Sequence, residues 1–372
     1  MKMTEIKKNC IHITHNDGDA VGCALVASIV FEDYDFLNNT YFCTANGGSK
    51  KLNSLLDEYE KMDEDEFPKF ILMSDLSLDE ETCDRLEKLK EKYDFELVGI
   101  DHHVHNTLNN KYKWYIVDTN FKYDKMTDLY IPTSAAKLML LRYDLVFAKN
   151  FRMNLYNKLS EIIDSISRYD TWAWKEYANV MAKSIYPFKD DIIAIVTKAL
   201  GAEETYNQLY EFYFKNYFNE EDIYKTSPIV PYSFQFIYDI EKRKEESYLK
   251  SLKSKVHVAM YKGFKVAAFF NDDIYVNSGM EWVYNTYEGI DIVCAFYPNN
   301  RQISLRTKRG DLNLGIYCKN NFSGGGHPKA AGATVCKETF FEFINLYYDS
   351  ITLSEYENME KINYELQSKS NE

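Results

Sequence analysis

Short apolar runs that end on a carboxylate or an imidazole recur through the first half of the chain. "IHIT" (11–14) runs into His15-Asn16-Asp17-Gly18-Asp19, "FPKFILMSD" (67–75) closes on Asp75, and "FELVGIDHH" (95–103) closes on Asp101-His102-His103. "YFCTA" (41–45) and "KWYIVDTN" (113–120) read as further strands. Between them, "AVGCALVASIVFE" (20–32), "SKKLNSLLDEYEKM" (49–62) and "DEETCDRLEKLKEKY" (79–93) read as helices. Continuous apolar strands alternating with helices predict an α/β domain whose parallel sheet is covered by helices on both faces. Such sheets bind ligands beyond the carboxyl ends of their strands, so the charged strand ends mark the expected site.

Side chains alternate with period two along an extended chain. His15, Asp17 and Asp19 are therefore expected to share one edge of a pocket if the segment stays extended. Crowded carboxylates repel one another, and a divalent cation removes that cost. Asp170, in "ISRYDTW" after the helical stretch "LYNKLSEIIDSI", adds a further acid. One acidic strand end is more often a cap or a solvated turn; three of them, with Asp170, favour a metal site. Carboxylates mixed with imidazoles suit manganese or magnesium better than the thiolate sets of structural zinc.

The remaining pattern divides the chain. An N-terminal catalytic domain is expected over 1–185, a helical connector over 186–252, a smaller α/β domain over 253–351 and a polar tail over 352–372. In the smaller domain, "KVHVAMYKGFKVAAFF" reads as a hairpin around Lys262-Gly263. "NSGMEWVYNTYE" reads as a helix capped by Asn277 or Ser278. "IDIVCAFYPNNRQISLRT" reads as a second hairpin. In "SGGGHPKAAG", Pro328 is expected to open a helix continued by Lys329, Ala330 and Ala331. The preceding glycines would let backbone N–H groups approach an anion.

The chain has 372 residues, of which 45% are apolar and 16% aromatic, enough to build two cores. Its net charge of −13 disfavours long duplex nucleic acid, which is held by neutralising phosphates with Lys and Arg. A short anionic substrate held locally by metal ions is compatible with that charge. Seven scattered cysteines without a CxxC pair predict reduced thiols in a cytoplasmic setting. No signal-peptide core or membrane-length apolar stretch is read, and no membrane contact is expected.

Taken together, "HNDGDAVG", "LMSD", "GIDHHVH", "SRYDTW" and "GGGHPKAAG" resemble the motif series of the DHH phosphoesterase superfamily in the form that carries a DHHA1 domain. The resemblance covers about residues 11–345 and points to the nanoRNase B-like oligoribonucleases and related cyclic-nucleotide phosphodiesterases. It implies two divalent ions, Mn2+ above all, with Mg2+ or Co2+ as substitutes. It implies that His15 and Asp17 hold one ion, that Asp19, His102 and Asp170 hold the second, and that Asp75 bridges them. His103 would face the scissile phosphate, and Asp101 would orient its histidine neighbour. Arg306 of "SLR", with Gly325, Gly326 and His327, would contact the nucleotide. Several branches place the first histidine four residues before the DxD aspartate; another has the two-residue spacing found here.

The implied reaction is hydrolysis of a phosphodiester by water activated between two metal ions. Short oligoribonucleotides are the expected substrates. Cyclic nucleotides, cyclic dinucleotides and pAp are alternatives within the same chemistry, and inorganic pyrophosphatase or a non-catalytic scaffold are more distant ones. His12 and His257 read as structural strand residues, Trp172 and Trp174 as core, and His105 as surface. Arg168 carries no assignment.

Overall fold

A computed structural model describes residues 9–31, 33–43, 50–103, 108–120, 122–124, 129–143, 153–171, 190–217, 229–271, 275–352 and 355. His105, Trp172, Trp174 and most of the polar tail lie outside these residues. The chain forms two compact units, Met1–Asp239 and Ile240–Glu372.

The first unit opens with β1 (Cys10–Thr14), α1 (Gly18–Val30), β2 (Thr40–Phe42), α2 (Lys50–Tyr59), β3 (Phe70–Ser74), α3 (Glu80–Lys92), β4 (Glu96–Asp101) and β5 (Tyr115–Val117). These five strands make one parallel sheet in the order β2-β1-β3-β4-β5. A small antiparallel hairpin follows, β6 (Lys122–Asp124) with β7 (Leu129–Ile131). Then come α4 (Ala135–Arg142), α5 (Met153–Asp170), α6 (Ile192–Leu200) and α7 (Ala202–Tyr217). α8 (Tyr232–Leu252) begins in the first unit and ends in the second.

Every residue of β1 and β3 is buried, because helices cover both sheet faces. Ile11, Ile13, Ile71 and Met73 pack with Leu52 and Leu56 of α2 and Leu86 and Leu89 of α3. Phe70, Leu72 and Ile100 join a second cluster with α1, α4, α5, α6 and α7. In register, Thr14 stands beside Ser74 and Ser74 beside Ile100. His15, Asp75 and Asp101 therefore leave the sheet at one rim.

Two expectations for this unit change. The segment after β1 does not stay extended. Asp17 is the N-cap of α1, accepting from the Ala20 amide at 3.1 Å, and Asp19 stands in the first helical turn. Nor is 186–252 a spacer in its described residues. α6 and α7 place Ile192, Ile193, Val196, Tyr206, Leu209 and Tyr213 in the same core as α1, a helix buried along its whole length. Their apolar faces need a partner, and α1 supplies it.

The second unit contains β8 (His257–Tyr261), β9 (Phe264–Phe270), α9 (Val276–Thr286), β10 (Ile292–Tyr297), β11 (Gln302–Arg306), α10 (Leu314–Asn321), β12 (Ser323–His327), β13 (Ala330–Thr334), α11 (Lys337–Tyr348) and β14 (Ile351–Thr352). Its seven-stranded mixed sheet runs β12-β13-β11-β10-β9-β8-β14. The β8–β9 and β10–β11 hairpins form as expected. Lys262 and Gly263 have φ 49° and 84°, the pair of positive values that a two-residue type I′ turn needs. α9 packs on one face of the sheet, α10 and α11 on the other.

Two expectations change here as well. α9 is preceded by Tyr275 as its cap residue, not by Asn277 or Ser278. Those side chains are taken by tertiary partners: Asn277 Oδ1 accepts from Arg306, and Ser278 bonds Glu245. Pro328 opens no helix. The glycine-rich run is the edge strand β12, paired antiparallel with β13 across the turn at Pro328-Lys329. The close approach of the two backbones decides this. A Cβ at Gly324 would stand 2.3 Å from the Gly332 carbonyl oxygen, and Gly326 has φ 135°, a value that side chains disfavour.

The seven cysteines are free thiols. No helix among the described residues is long and apolar enough to cross a membrane.

Candidate metal centre

The rim of the first sheet gathers carboxylates and imidazoles from four separate segments. His15 and Asp17 follow β1, Asp19 lies in α1, Asp75 follows β3, His102 and His103 follow β4, and Asp170 ends α5. Among the described residues, three groups have ligand atoms lying within 4.8 Å of one another: His15, Asp17 and Asp75; Asp19, His102 and Asp170; and Asp75, His102 and His103. Asp75 and His102 each belong to two groups. Chain order separates these residues; the parallel register brings them together.

Asp75 is the hub. Its carboxylate is buried, with Oδ2 3.7 Å from His15 Nδ1 and Oδ1 3.4 Å from His102 Nε2. Its φ of 53° is uncommon outside glycine, though aspartate tolerates it better than most side chains. The Asp75 amide donates to the Ile100 carbonyl at 3.0 Å, which ties the residue to the end of β4. His102 Nε2 also stands 3.3 Å from Asp170 Oδ2 and 3.8 Å from Asp19 Oδ2. His15 Nδ1 is 2.7 Å from Asp17 Oδ2.

Crowding sets the protonation. Burial and the negative Asp75 push Asp19 up to about 7. Burial and the negative Asp19 push Asp170 well above the usual carboxylate range. Burial works against a charged His15, but hydrogen bonding and attraction to Asp17 and Asp75 outweigh it and push the imidazole up to about 10. His102 follows the same balance, with burial opposed by Asp75, Asp170 and Asp19, and also reaches about 10.

The donor set fits a divalent cation. Oδ2 of Asp75 is buried without a hydrogen-bond partner, a costly state for a carboxylate oxygen that a cation would relieve. The four carboxylates and three imidazoles of these groups suit manganese or magnesium.

The neighbouring residues fix this geometry. Asp19 accepts from the amides of Ala135 (2.8 Å) and Ala136 (3.2 Å) at the start of α4, where a helix terminus favours negative charge. Asp101 is fully buried at the end of β4. Its Oδ1 is 2.6 Å from His103 Nδ1 and accepts from the His102 amide at 2.8 Å. Its Oδ2 lies 3.1 Å from the Tyr115 hydroxyl and accepts from Ser77 at 3.3 Å. The bond to Asp101 raises the His103 pKa, and burial only partly opposes it. His103 is the more open of the histidine pair, its side chain 46% exposed against 13% for His102.

Sequence reasoning missed Tyr115, Ser77 and the two α4 amides. No local signal marks them: Tyr115 reads as an ordinary aromatic strand residue, and a backbone amide leaves no trace in a sequence. It also passed over the set behind Asp75, in which His12 Nε2 meets Ser74 Oγ at 2.8 Å and Ser74 Oγ donates to Thr14 at 2.9 Å. Burial drives His12 down to about 3, so this imidazole is neutral, and its place in β1 fits a structural role. Arg168, left unassigned, is a buried partner of Asp190 through two bonds of 2.7 and 3.1 Å.

The second unit holds the other candidate residues. Arg306 pairs in register with Ala330 of β13, and Ala330 pairs with His327 of β12. Arg306 and His327 thus stand in one row across three strands. Arg306 donates to Asn277 Oδ1 (2.8 Å), the Leu305 carbonyl (2.9 Å) and Ser304 Oγ (3.2 Å). Gly325 has open space where a side chain would stand, unlike Gly324 and Gly326.

The chain is similar to the oligoribonuclease NrnB of Bacillus subtilis (strain 168), with 25% identity over 338 residues that cover 89% of this chain and 74% of that protein. No family model matches. Two solved structures align along most of the chain. RecJ from Thermus thermophilus in complex with Mn2+ has 12% identity and a TM-score of 0.46, covering 91% of this chain and 51% of its own. An exopolyphosphatase-related protein from Bacteroides fragilis has 13% identity and a TM-score of 0.44, with 95% and 94% covered.

Proposed function

We propose that this protein is a metal-dependent phosphodiesterase that hydrolyses short oligoribonucleotides. The observation that carries the reading is the convergence on Asp75 of acidic and imidazole groups from separate strand ends, with one buried carboxylate oxygen left without a donor. The similarity to an oligoribonuclease supports the substrate class.

His15 and Asp17 would hold one ion and Asp19, His102 and Asp170 the other, with Asp75 shared between them. Ions bound there, Mn2+ first among them, supply an activated water and offset charge on the phosphoryl oxygens. The chain's own residues do the rest. The α4 amides and Asp101 hold Asp19 and His103 in place before substrate arrives, so little reorganisation is needed. With Nδ1 engaged by Asp101, His103 retains Nε2 for a phosphoryl oxygen, and the bond to Asp101 favours its charged, donating form. Arg306, Gly325, Gly326 and His327 are assigned to the nucleotide. A guanidinium and open backbone N–H groups at a sheet edge are suited to an anion and its sugar.

The net charge of −13 restricts the length of the substrate. A long strand needs a track of cations, whereas a dinucleotide needs the metal centre and few further contacts.

The test is a Mn2+-supplemented assay on a diribonucleotide, a long oligoribonucleotide, a cyclic dinucleotide, pAp and pyrophosphate. The diribonucleotide is expected to be cleaved fastest and to yield mononucleotides. Equal rates on the short and long strands, or turnover of pyrophosphate alone, would overturn the reading. Preference for the cyclic dinucleotide or pAp would keep the chemistry and change the substrate.

A further inference from the structure

The β6–β7 hairpin begins and ends at the rim that carries the acidic cluster. At its start, the amide of Asp118, the first residue after β5, donates to the Asp101 carbonyl at 3.2 Å. At its end, Ser134 caps α4, and the next two amides, those of Ala135 and Ala136, donate to Asp19. Both roots are thus tied to residues of the candidate metal centre. Tyr123 lies five residues after Asp118, and Ala135 lies five residues after Tyr130. A chain of that length reaches no more than about 17 Å, so the hairpin cannot stray far from the rim.

Its two faces differ. Ile131 is only 3% exposed and seats the hairpin, and beside it Lys122 pairs with Asp118 at 2.6 Å. Side chains alternate along a strand, so the neighbours of these residues belong to the opposite face. There Tyr123 and Tyr130 are cross-strand partners with ring centroids 5.6 Å apart, 44% and 68% exposed. Two adjacent aromatic rings with solvent-facing surface, on a hairpin rooted at the acidic rim, suit the flat face of a base. Stacking needs no positive charge and accepts any base, which suits a strongly acidic protein acting on short strands of mixed sequence.

We propose that Tyr123 and Tyr130 form a stacking platform for a nucleobase of the oligonucleotide whose phosphodiester lies at the Asp75 cluster. The inference rests on the phosphodiesterase reading and adds a residue pair that sets affinity for the base. Tyr123 and Tyr130 position the substrate and take no part in bond cleavage.

The test compares KM for a diribonucleotide with KM for the same diester carrying an abasic residue in place of one or the other nucleotide. Wild-type protein, Tyr123→Ala, Tyr130→Ala and the ring-preserving Tyr123→Phe and Tyr130→Phe are measured with Mn2+, and thermal melting checks that each is folded. For the wild type, removing the stacked base is expected to raise KM about five- to a hundredfold. Each alanine variant should raise KM for the full diribonucleotide by a similar factor and lose the discrimination, with kcat little changed. The phenylalanine variants should behave as wild type. Equal KM values of the wild type for the normal and abasic diesters would overturn the platform alone. Failure of the wild type to cleave either diester would overturn the oligoribonucleotide reading and the platform with it. Alanine variants that alter sedimentation but leave KM unchanged would assign the tyrosine face to a second copy of the chain and overturn the proposal.

Discussion

His102 Nε2 stands 3.4 Å from Oδ1 of Asp75, a contact that joins the ends of two neighbouring strands. Both residues belong to two of the three ligand groups, and Asp75 also reaches His15. Removing the Asp75 charge should therefore disable the whole centre rather than one side of it. Asp75→Asn is expected to lower Mn2+-supported hydrolysis on the order of a hundredfold or more. It should also abolish the rise in Tm that Mn2+ gives the wild type. Near-normal activity in Asp75→Asn would contradict the site.

Metal uptake should release protons. Without metal, His15 and His102, each pushed up to about 10, are cations at neutral pH, and burial and the negative Asp19 favour the protonated form of Asp170. Asp19, near 7, is about half protonated. Ligation requires the deprotonated form of each, and His15, His102 and Asp19 must lose protons to reach it, so apparent Mn2+ affinity should rise with pH between about 6 and 9. The sign for the metal-free protein is opposite. The two histidines contribute stability that is full below their unfolded value of 6.5 and is lost as pH rises toward about 10. Calorimetric titration in buffers of different ionisation enthalpy measures the proton release directly. A metal affinity that does not change with pH would refute this protonation scheme.

Asp101 acts through His103. Its Oδ1 lies 2.6 Å from His103 Nδ1, and that bond raises the imidazole pKa. Asp101→Asn should lower the His103 pKa, observable by NMR titration of the metal-free protein. It should also reduce kcat by about ten- to a hundredfold. The Mn2+-induced rise in Tm should persist, since Asp101 belongs to none of the three ligand groups. Loss of that rise would place Asp101 among the ligands.

The rim was legible in the sequence because its residues break a pattern. Asp75 and Asp101 end runs that are otherwise mainly apolar and buried, and a buried carboxylate is costly unless something uses it. Which residues follow the strands was readable; how the chain turns there was not. Asp19 lies in a helix because Asp17 caps it at once, and a period-two reading cannot see a cap that arrives two residues early. The glycine-rich hairpin failed for a related reason. "GGGHPK" carries a plausible helix start, and only the tertiary approach of β13 selects the strand. Tyr115 and the α4 amides are contacts across long sequence separations, which no local pattern encodes.

The β12 edge permits a clean separation of fold from binding. Gly326 has φ 135° and a Cβ there would stand 2.6 Å from the Ala330 carbonyl oxygen, so Gly326→Ala should destabilise the second unit by about 1–3 kcal/mol. Gly325 has open space at its Cβ position, so Gly325→Ala should leave the Tm unchanged. If the nucleotide passes over this edge, the added methyl group should raise KM several-fold with kcat little affected. Thermal melting and steady-state kinetics of the two variants check both statements. A Gly325→Ala enzyme with wild-type KM would remove Gly325 from the substrate-binding set.

Anomalous diffraction from crystals grown with Mn2+ tests the central claim most directly. Two manganese peaks should lie within coordination distance of Asp75, one also contacting His15 and Asp17 and the other Asp19, His102 and Asp170. Crystals in which no peak touches Asp75, with Mn2+ present and the rim residues ordered, would contradict the account.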